Sequence, residues 1–241
     1  LLNGDKISAL IAYYIIKNIE NNDKRFEMCE SGLLPLTLGE ANINIGVIHT
    51  GYSNNNFIKF INNLSASRCN ITTVRTATGV KHLHREAQKY DIGIHFEANG
   101  HGTAIFNNIP NCGDKINKLS KLFNPYIGDA IADLFAILHI MEDLKFTSND
   151  WAKLYTDNPS RTTKIKVNDK SIFKVTDDDC KLVHPIKLQE YIDNITNEYN
   201  CFAFVRPSGT EDILRLYVES NILEDIENII NLITSHIHNN Y

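Results

Sequence analysis

The sequence predicts an α/β domain, built on a mixed, mostly parallel sheet with helices, followed by a smaller α+β C-terminal domain. Two observations carry this prediction. Up to about residue 158, short apolar strands alternate with amphipathic helices, a pattern typical of a largely parallel sheet. Beyond that point the strands follow one another more closely. We therefore predict domains at residues 1–160 and 161–241, and 241 residues are enough for two separate cores.

The individual elements follow from the spacing of apolar side chains. Residues 5–19 repeat them at helical spacing, residues 21–42 are a polar connection with Gly and Pro, and residues 43–47 alternate as a strand. Further helices are predicted at residues 55–64, 80–89, 115–123, 128–144, 149–155, 185–197 and 223–236. Further strands are predicted at residues 71–74, 92–96, 103–106, 163–167, 171–175, 201–205 and 213–218.

Composition excludes several functional classes. The net charge is −5, so no general basic surface favours nucleic acid or an acidic membrane as a partner. The apolar runs are too short to span a bilayer. The five cysteines are scattered without a C-x-x-C pair, which favours reduced thiols and a cytoplasmic location over a disulfide framework or a zinc site. The sequence begins without Met and almost directly on a helix, as expected of a piece of a longer protein.

A phosphate-binding loop is the strongest functional signal. Arginine presents a planar fork of donors that fits phosphate oxygens, and hydroxyls add further donors. Gly209 permits close backbone approach and tolerates a positive φ, so neighbouring N–H groups can turn toward an anion. Alternation along the following strand directs Arg215 away from the buried face. The alternative is a surface turn with ordinary charges. The predicted phosphate-binding residues are Arg206, Pro207, Ser208, Gly209, Thr210 and Arg215.

Two further segments carry candidate residues. Lys81 lies in the first turn of a predicted helix, where a cation is unfavourable for the helix dipole, so it either serves a ligand or is a surface lysine. The loop at residues 97–102 leaves the end of a strand, where ligands gather in α/β folds. Its carboxylate, amide and imidazole are suited to sugar hydroxyls, although a polar turn is an equal alternative. The candidate residues of this loop are Glu97, Ala98, Asn99, Gly100 and His101.

These loops, in this order, resemble the phosphoacetylglucosamine mutase branch of the α-D-phosphohexomutase superfamily. The specific motifs are TGVKHLH at 78–84, EANGHGT at 97–103 and FAFVRPSGTEDILR at 202–215. Weaker matches extend the resemblance over essentially the whole chain, except residues 29–42, which match nothing that can be assigned. The weaker matches are GDKI at 4–7, YDIG at 90–93, GDAI at 128–131 and LYTD at 154–157.

The resemblance implies a reversible transfer of phosphate between O6 and O1 of N-acetylglucosamine, through an enzyme phosphoserine and a bisphosphate intermediate. Members have four domains around one cleft. This chain resembles the third, sugar-binding domain and the fourth, phosphate-binding domain. Neither the family's phosphoserine loop nor its Asp-rich Mg²⁺ loop is found in this sequence, so Mg²⁺ is expected in a part of the enzyme that this sequence does not contain.

Residue by residue, the resemblance implies that Glu97, Asn99 and Gly100 bind the sugar. It implies that the phosphate is held by Arg206, Ser208, Gly209, Thr210 and Arg215. Lys81 and His101 would line the cleft. His101 could assist proton transfer, and no catalytic nucleophile or metal ligand is expected in this chain. The expected partner is a small-molecule hexosamine phosphate. The alternatives are another hexose-phosphate mutase, acting on glucosamine or mannose phosphates, and a non-catalytic sugar-phosphate-binding protein.

Overall fold

The structure, a computed structural model, describes residues 1–28, 42–66, 68–109 and 112–241, with the side chains of all of these except 20–28. Its contacts divide the chain into two compact units. Unit 1 contains residues 1–75 and 79–156, and unit 2 contains residues 76–78 and 157–241. No helix in these described ranges is both long enough and apolar enough to cross a membrane.

Unit 1 is built on a sheet in the order β2-β1-β3-β4. Its strands are β1 (Ile43–His49), β2 (Cys69–Arg75), β3 (Ile92–Phe96) and β4 (Gly102–Phe106). Its helices are α1 (Gly4–Met28), α2 (Asn55–Asn62), α3 (Val80–Ala87), α4 (Asp114–Ser120), α5 (Ala130–Leu144) and α6 (Ser148–Ala152). β1 pairs in parallel with β2 and β3, whereas β4 runs antiparallel to β3. The carboxyl ends of β1, β2 and β3 therefore share one edge.

The start of α1 is held in place within unit 1 by charged side chains that are almost fully buried. Asp5 Oδ2 accepts from the backbone N–H of Asn54 at 2.8 Å. The Lys6 ammonium lies 3.3 Å from the centre of the Tyr155 ring and donates to the carbonyl oxygens of Ala152 and Tyr155. A buried charge is tolerated when such partners compensate its lost hydration. These contacts give the motif at residues 4–7 a structural role.

Unit 2 is a smaller antiparallel α+β unit. Its strands are β5 (Ser160–Lys166), β6 (Lys174–Val175), β7 (Leu182–His184), β8 (Phe202–Pro207) and β9 (Ile213–Glu219). Its helices are α7 (Ile186–Glu198) and α8 (Leu223–Asn240), with a short 3-10 turn at Lys170–Ile172. The main sheet has the order β5-β9-β8, and β6 pairs with β7. Its inner face and both helices bury one core, which includes Ile165, Val205, Leu214, Leu216 and Val218.

The predicted fold class is confirmed, with a mixed sheet and helices in unit 1 and an antiparallel sheet in unit 2. Three elements differ from prediction. α1 extends to Met28, because a nucleated helix propagates at low cost through residues that lack apolar periodicity. The remainder of the predicted connection, residues 29–41, lies outside the described residues.

The other two differences lie in unit 2. The predicted strand at 171–175 begins as a 3-10 turn, because the Asp169 carboxylate accepts from the Ser171 N–H at 2.8 Å and competes with extended pairing. Strand β7 was not predicted. Three residues are too few to display an alternation.

Two buried histidines lie in strands of unit 1. His49 is 3% exposed and His95 is 1% exposed. Burial lowers the pKa of His49 to about 4, and burial together with the charges of His84 and His101 lowers the pKa of His95 to about 3. Both side chains are therefore neutral at physiological pH.

Acid should destabilise unit 1 through these histidines. An unfolded histidine has a pKa near 6.5. Below that pH the unfolded state binds more protons, so stability is full above about pH 6.5 and declines as the pH falls toward the folded pKa. At pH 5 each histidine should lower the free energy of unfolding by roughly 2 kcal/mol. Denaturant unfolding followed by fluorescence of Trp151, the single tryptophan, reports on unit 1.

The contribution of His95 is isolated by comparing the parent with His95→Gln. The carboxylates are the same in both proteins, so their pH-dependent contribution to stability cancels in the difference. Between pH 7.5 and pH 5 the variant should lose about 2 kcal/mol less stability than the parent. His82→Gln, at a half-buried position of α3 in the same unit, serves as the control. Equal losses in the parent and in His95→Gln would show that folding does not lower the pKa of His95.

Candidate functional site

The candidate sugar loop, residues 97–101, connects β3 to β4 and is closed by its own hydrogen bonds. The Glu97 N–H donates to the His101 carbonyl at 2.9 Å, and the Gly100 N–H donates to the Glu97 carbonyl at 2.8 Å. The His101 N–H donates to Asn99 Oδ1 at 2.8 Å. Gly100 has φ 91°, which glycine adopts without strain. The backbone of this loop is therefore set before any ligand binds.

The start of α1 approaches this loop closely. The Gly4 N–H donates to the Ala98 carbonyl at 3.3 Å. A Cβ at Gly4 would lie 1.8 Å from the Glu97 carbonyl oxygen, so only glycine fits there. The sugar loop thus rests on an anchored helix end.

Glu97 joins the sugar loop to the turn before α3. Its Oε1 accepts from the Gly79 N–H at 3.0 Å, while its Oε2 lies 3.5 Å from Asn99 Nδ2. One carboxylate oxygen is therefore oriented by the backbone, and the other faces Asn99. Both segments leave the same sheet edge, since β2 and β3 run parallel to β1.

The structure places the other predicted residues of this region on the surface. Lys81 is exposed in the first turn of α3, which contains no acidic residue. Asn99 and His101 are exposed, and Ala98 and Gly100 are half-buried. His84 Nδ1 lies 3.3 Å from His95 Nε2. Across the described ranges, no group of three or more His, Cys, Asp or Glu side chains could hold a metal ion.

The candidate phosphate loop of unit 2, residues 208–212, connects β8 to β9. Its base is closed by the Ser208 N–H, which donates to the Ile213 carbonyl at 2.9 Å. The Ser208 Oγ accepts from the Glu211 N–H at 3.3 Å. Around Gly209, a Cβ would meet no atom within 4 Å. Gly209 does not adopt the positive φ that glycine tolerates, so what it provides is open space at the loop.

The two arginines occupy directly opposite positions on neighbouring strands. Arg206 on β8 is the register partner of Arg215 on β9, so both side chains project from the same face. Lys164 on β5 is in turn the register partner of Arg215. Three cations thus form one row across the sheet. Like charges in opposed positions are destabilising, so this row requires anions.

Two carboxylates supply part of that negative charge. Arg206 Nη1 lies 3.3 Å from Asp179 Oδ2, and both side chains are less than a fifth exposed. Glu211 accepts from Lys164 at 2.8 Å and from Arg215 at 3.0 Å. The hydrogen bond from Lys164, aided by the Lys164 and Arg215 charges, holds the pKa of the Glu211 carboxyl below its usual value.

Asp179 and Lys164 were not among the residues that the sequence singled out. Lys164 alternates with Ile165, which lies in the core, so its outward direction could be predicted from the sequence. Its position beside Arg215 could not be predicted, because strand order is a tertiary property. Asp179 comes from the turn between β6 and β7, has φ 62°, and also accepts from the Thr78 N–H at 3.0 Å within unit 2.

Comparison with known proteins identifies relatives along nearly the whole chain. Residues 3–112 match the family model of phosphoacetylglucosamine mutase AMG1, domain III. Residues 154–233 match the model of the phosphoglucomutase/phosphomannomutase C-terminal domain. The phosphoacetylglucosamine mutase of Candida albicans is 37% identical, and that of Homo sapiens is 36% identical, each over 95% of this chain and 42% of the relative.

Solved structures agree with these matches. A crystal structure of N-acetylglucosamine-phosphate mutase in the substrate complex has a TM-score of 0.81 at 36% identity, over 98% of this chain and 44% of that one. The Aspergillus fumigatus N-acetylphosphoglucosamine mutase, in complex with GlcNAc-6P and magnesium, has a TM-score of 0.80 at 32% identity, over 98% and 46%.

The chain spans less than half the length of these relatives, and the family models place it in their third and C-terminal domains. The chain belongs to the α-D-phosphohexomutase superfamily, in which it corresponds to the C-terminal part of the phosphoacetylglucosamine mutases.

Proposed function

We propose that this chain is the substrate-binding part of a phosphoacetylglucosamine mutase, which interconverts N-acetylglucosamine 6-phosphate and N-acetylglucosamine 1-phosphate. The observation that carries the proposal is the pairing of Arg206 with Arg215 beside an open loop in unit 2. The relatives named for this reaction support the choice of substrate. A cytoplasmic location, expected from the scattered cysteines, belongs to the same proposal.

The phosphate loop would hold the phosphate group that does not react. The arginines offer planar donor forks, Ser208 and Thr210 offer hydroxyls, and Gly209 leaves room for the anion. During the proposed reaction the substrate presents its phosphate from either end of the sugar. The loop should therefore bind the dianion itself and contact little else.

The sugar loop would distinguish the hydroxyl groups. Glu97 would accept hydrogen bonds from sugar hydroxyls, and Asn99 can both donate and accept. Lys81 and His101 lie within the two matching motifs, and both are exposed, so each would be available to contact the ligand. We also propose that His101 assists proton transfer.

The phosphoryl transfer itself needs groups that this sequence does not provide. The proposed reaction uses a phosphoserine and a divalent cation, which stabilises charge on the phosphoryl group. The described residues do not fit a Mg²⁺ site, because no group of three ligating side chains is present among them. In keeping with the family resemblance, we place the serine and the Mg²⁺ site in another part of the enzyme.

The phosphate assignment predicts that Arg206→Ala and Arg215→Ala each lower kcat/KM in an enzyme that contains this sequence. A hydrogen bond to a charged group contributes about 1.5–3 kcal/mol, and each 1.4 kcal/mol is tenfold. Each change should cost about ten- to a hundredfold, measured in a coupled mutase assay. Arg161→Ala is the matched control, because Arg161 lies on the same sheet but pairs with Glu227. Parental kinetics in both variants would refute the assignment.

The sugar assignment predicts that Glu97→Gln impairs catalysis without unfolding unit 1. The amide oxygen can still accept from the Gly79 N–H, but the charge that strengthens hydrogen bonds to sugar hydroxyls is lost. We expect kcat/KM to fall about tenfold or more, with the melting temperature nearly unchanged. Glu86→Gln, which removes an α3 carboxylate paired with Lys89, should leave the kinetics intact. A large loss of stability in Glu97→Gln would mark Glu97 as structural.

The chain of 241 residues alone should not interconvert the two N-acetylglucosamine phosphates. It contains no phosphoserine loop, and its described residues hold no metal cluster. Weak sugar-phosphate binding should survive, because both candidate loops are present. The test is a coupled assay on the purified chain with Mg²⁺ and a bisphosphate activator. Robust turnover, free of host mutase, would reveal a nucleophile within this sequence.

Running the assay on the longer enzyme with glucosamine, mannose and glucose phosphates tests the sugar preference.

A further inference from the structure

Lys170 contacts both ends of the phosphate loop from a different element. It begins the 3-10 turn Lys170–Ile172, and its side chain is about two-thirds buried. Its Nζ lies 2.9 Å from the Glu211 carbonyl oxygen and 3.3 Å from the Ser208 carbonyl oxygen. It also lies 3.1 Å from Asp212 Oδ1. One ammonium group therefore joins the start and the end of the loop.

The three contacts of Lys170 occupy all of its hydrogen-bond donors. A lysine ammonium has three N–H donors and no acceptor. The carbonyls of Ser208 and Glu211 and the carboxylate of Asp212 match those three donors. No donor is left for a phosphate oxygen. Lys170 is thus equipped to fix the loop and not to bind the ligand directly.

Fixing these carbonyls also sets the direction of the neighbouring amides. Within a planar trans peptide, the C=O and the following N–H point in opposite directions. The Ser208 and Glu211 carbonyls face Lys170, so the N–H groups of Gly209 and Asp212 point away from it. In the described part of the chain, the N–H groups of Gly209, Thr210 and Asp212 have no hydrogen-bond partner. Open space adjoins Gly209.

We propose that Lys170 is a positioning residue that holds the phosphate loop with its free N–H groups directed at the anion. The inference rests on the proposed phosphate-binding function of this loop, and it adds a residue that the loop sequence itself does not contain. Oriented backbone N–H groups bind phosphate oxygens without a side chain that must first be ordered.

The test titrates inorganic phosphate into the isotope-labelled chain and follows backbone amides by NMR. In the parent, the Gly209, Thr210 and Asp212 resonances should shift on titration. Lys170→Met should weaken phosphate binding about tenfold, as expected for a loss of ordered charge-assisted contacts. Lys170→Arg, which keeps charge and donors, should recover most of the affinity. Lys181→Met is the matched control, because Lys181 is exposed and lies 3.8 Å from Asp193.

A measurement without phosphate separates this inference from the proposed function. The Ser208 N–H donates to the Ile213 carbonyl at the base of the loop, and the Glu211 N–H donates to Ser208 Oγ within it. Lys170→Met should therefore increase the hydrogen-exchange rates of these two amides at least several-fold. Amides within β9 should exchange as in the parent. If phosphate does not bind the parent, the proposed function fails, and these exchange rates still decide the role of Lys170. Unchanged exchange, or unchanged phosphate affinity in Lys170→Met, overturns the inference.

Discussion

The register between β8 and β9 is the constraint on which unit 2 depends. It sets Arg206 opposite Arg215, and the neighbouring strand adds Lys164 to the same row. Opposed like charges weaken a sheet, so the row is stable only with anions beside it. Asp179 and Glu211 provide carboxylates at hydrogen-bonding distance. The cations are thereby concentrated on one face in the absence of any ligand.

The same register also specifies the core. Leu214 and Leu216 flank Arg215 and are fully buried against α7 and α8. A slip of one residue would turn the leucines to solvent and the arginine toward the core. The large free-energy cost of that exchange holds the register, and the register holds the candidate site. The stability of unit 2 and the geometry of its candidate site are therefore tied to one pattern of alternation.

That link explains what the sequence could and could not reveal. Alternation correctly placed Arg215 on the face away from Leu214 and Leu216, because side-chain direction within a strand is local. It could not reveal that Lys164, about fifty residues earlier, would lie beside Arg215. Asp179 and Lys170 reach the site from a turn and a 3-10 segment, neither of which has a periodic signal. The extension of α1 was missed for a similar reason, since backbone propagation needs no apolar repeat.

The two candidate loops differ in a way that suits different tasks. In unit 1, Glu97, Gly100 and His101 donate their N–H groups within the loop itself, which fixes the donors and acceptors of its side chains. Hydroxyl groups are told apart by direction, so a site that selects among sugars benefits from such fixed geometry. In unit 2, the N–H groups of Gly209 and Thr210 remain available within the described residues, next to concentrated positive charge. A phosphate group has several equivalent charged oxygens and needs donors and charge more than a fixed direction. Under the proposed function, unit 1 would therefore contribute most of the selectivity among sugars, and unit 2 would contribute affinity that all sugar phosphates share.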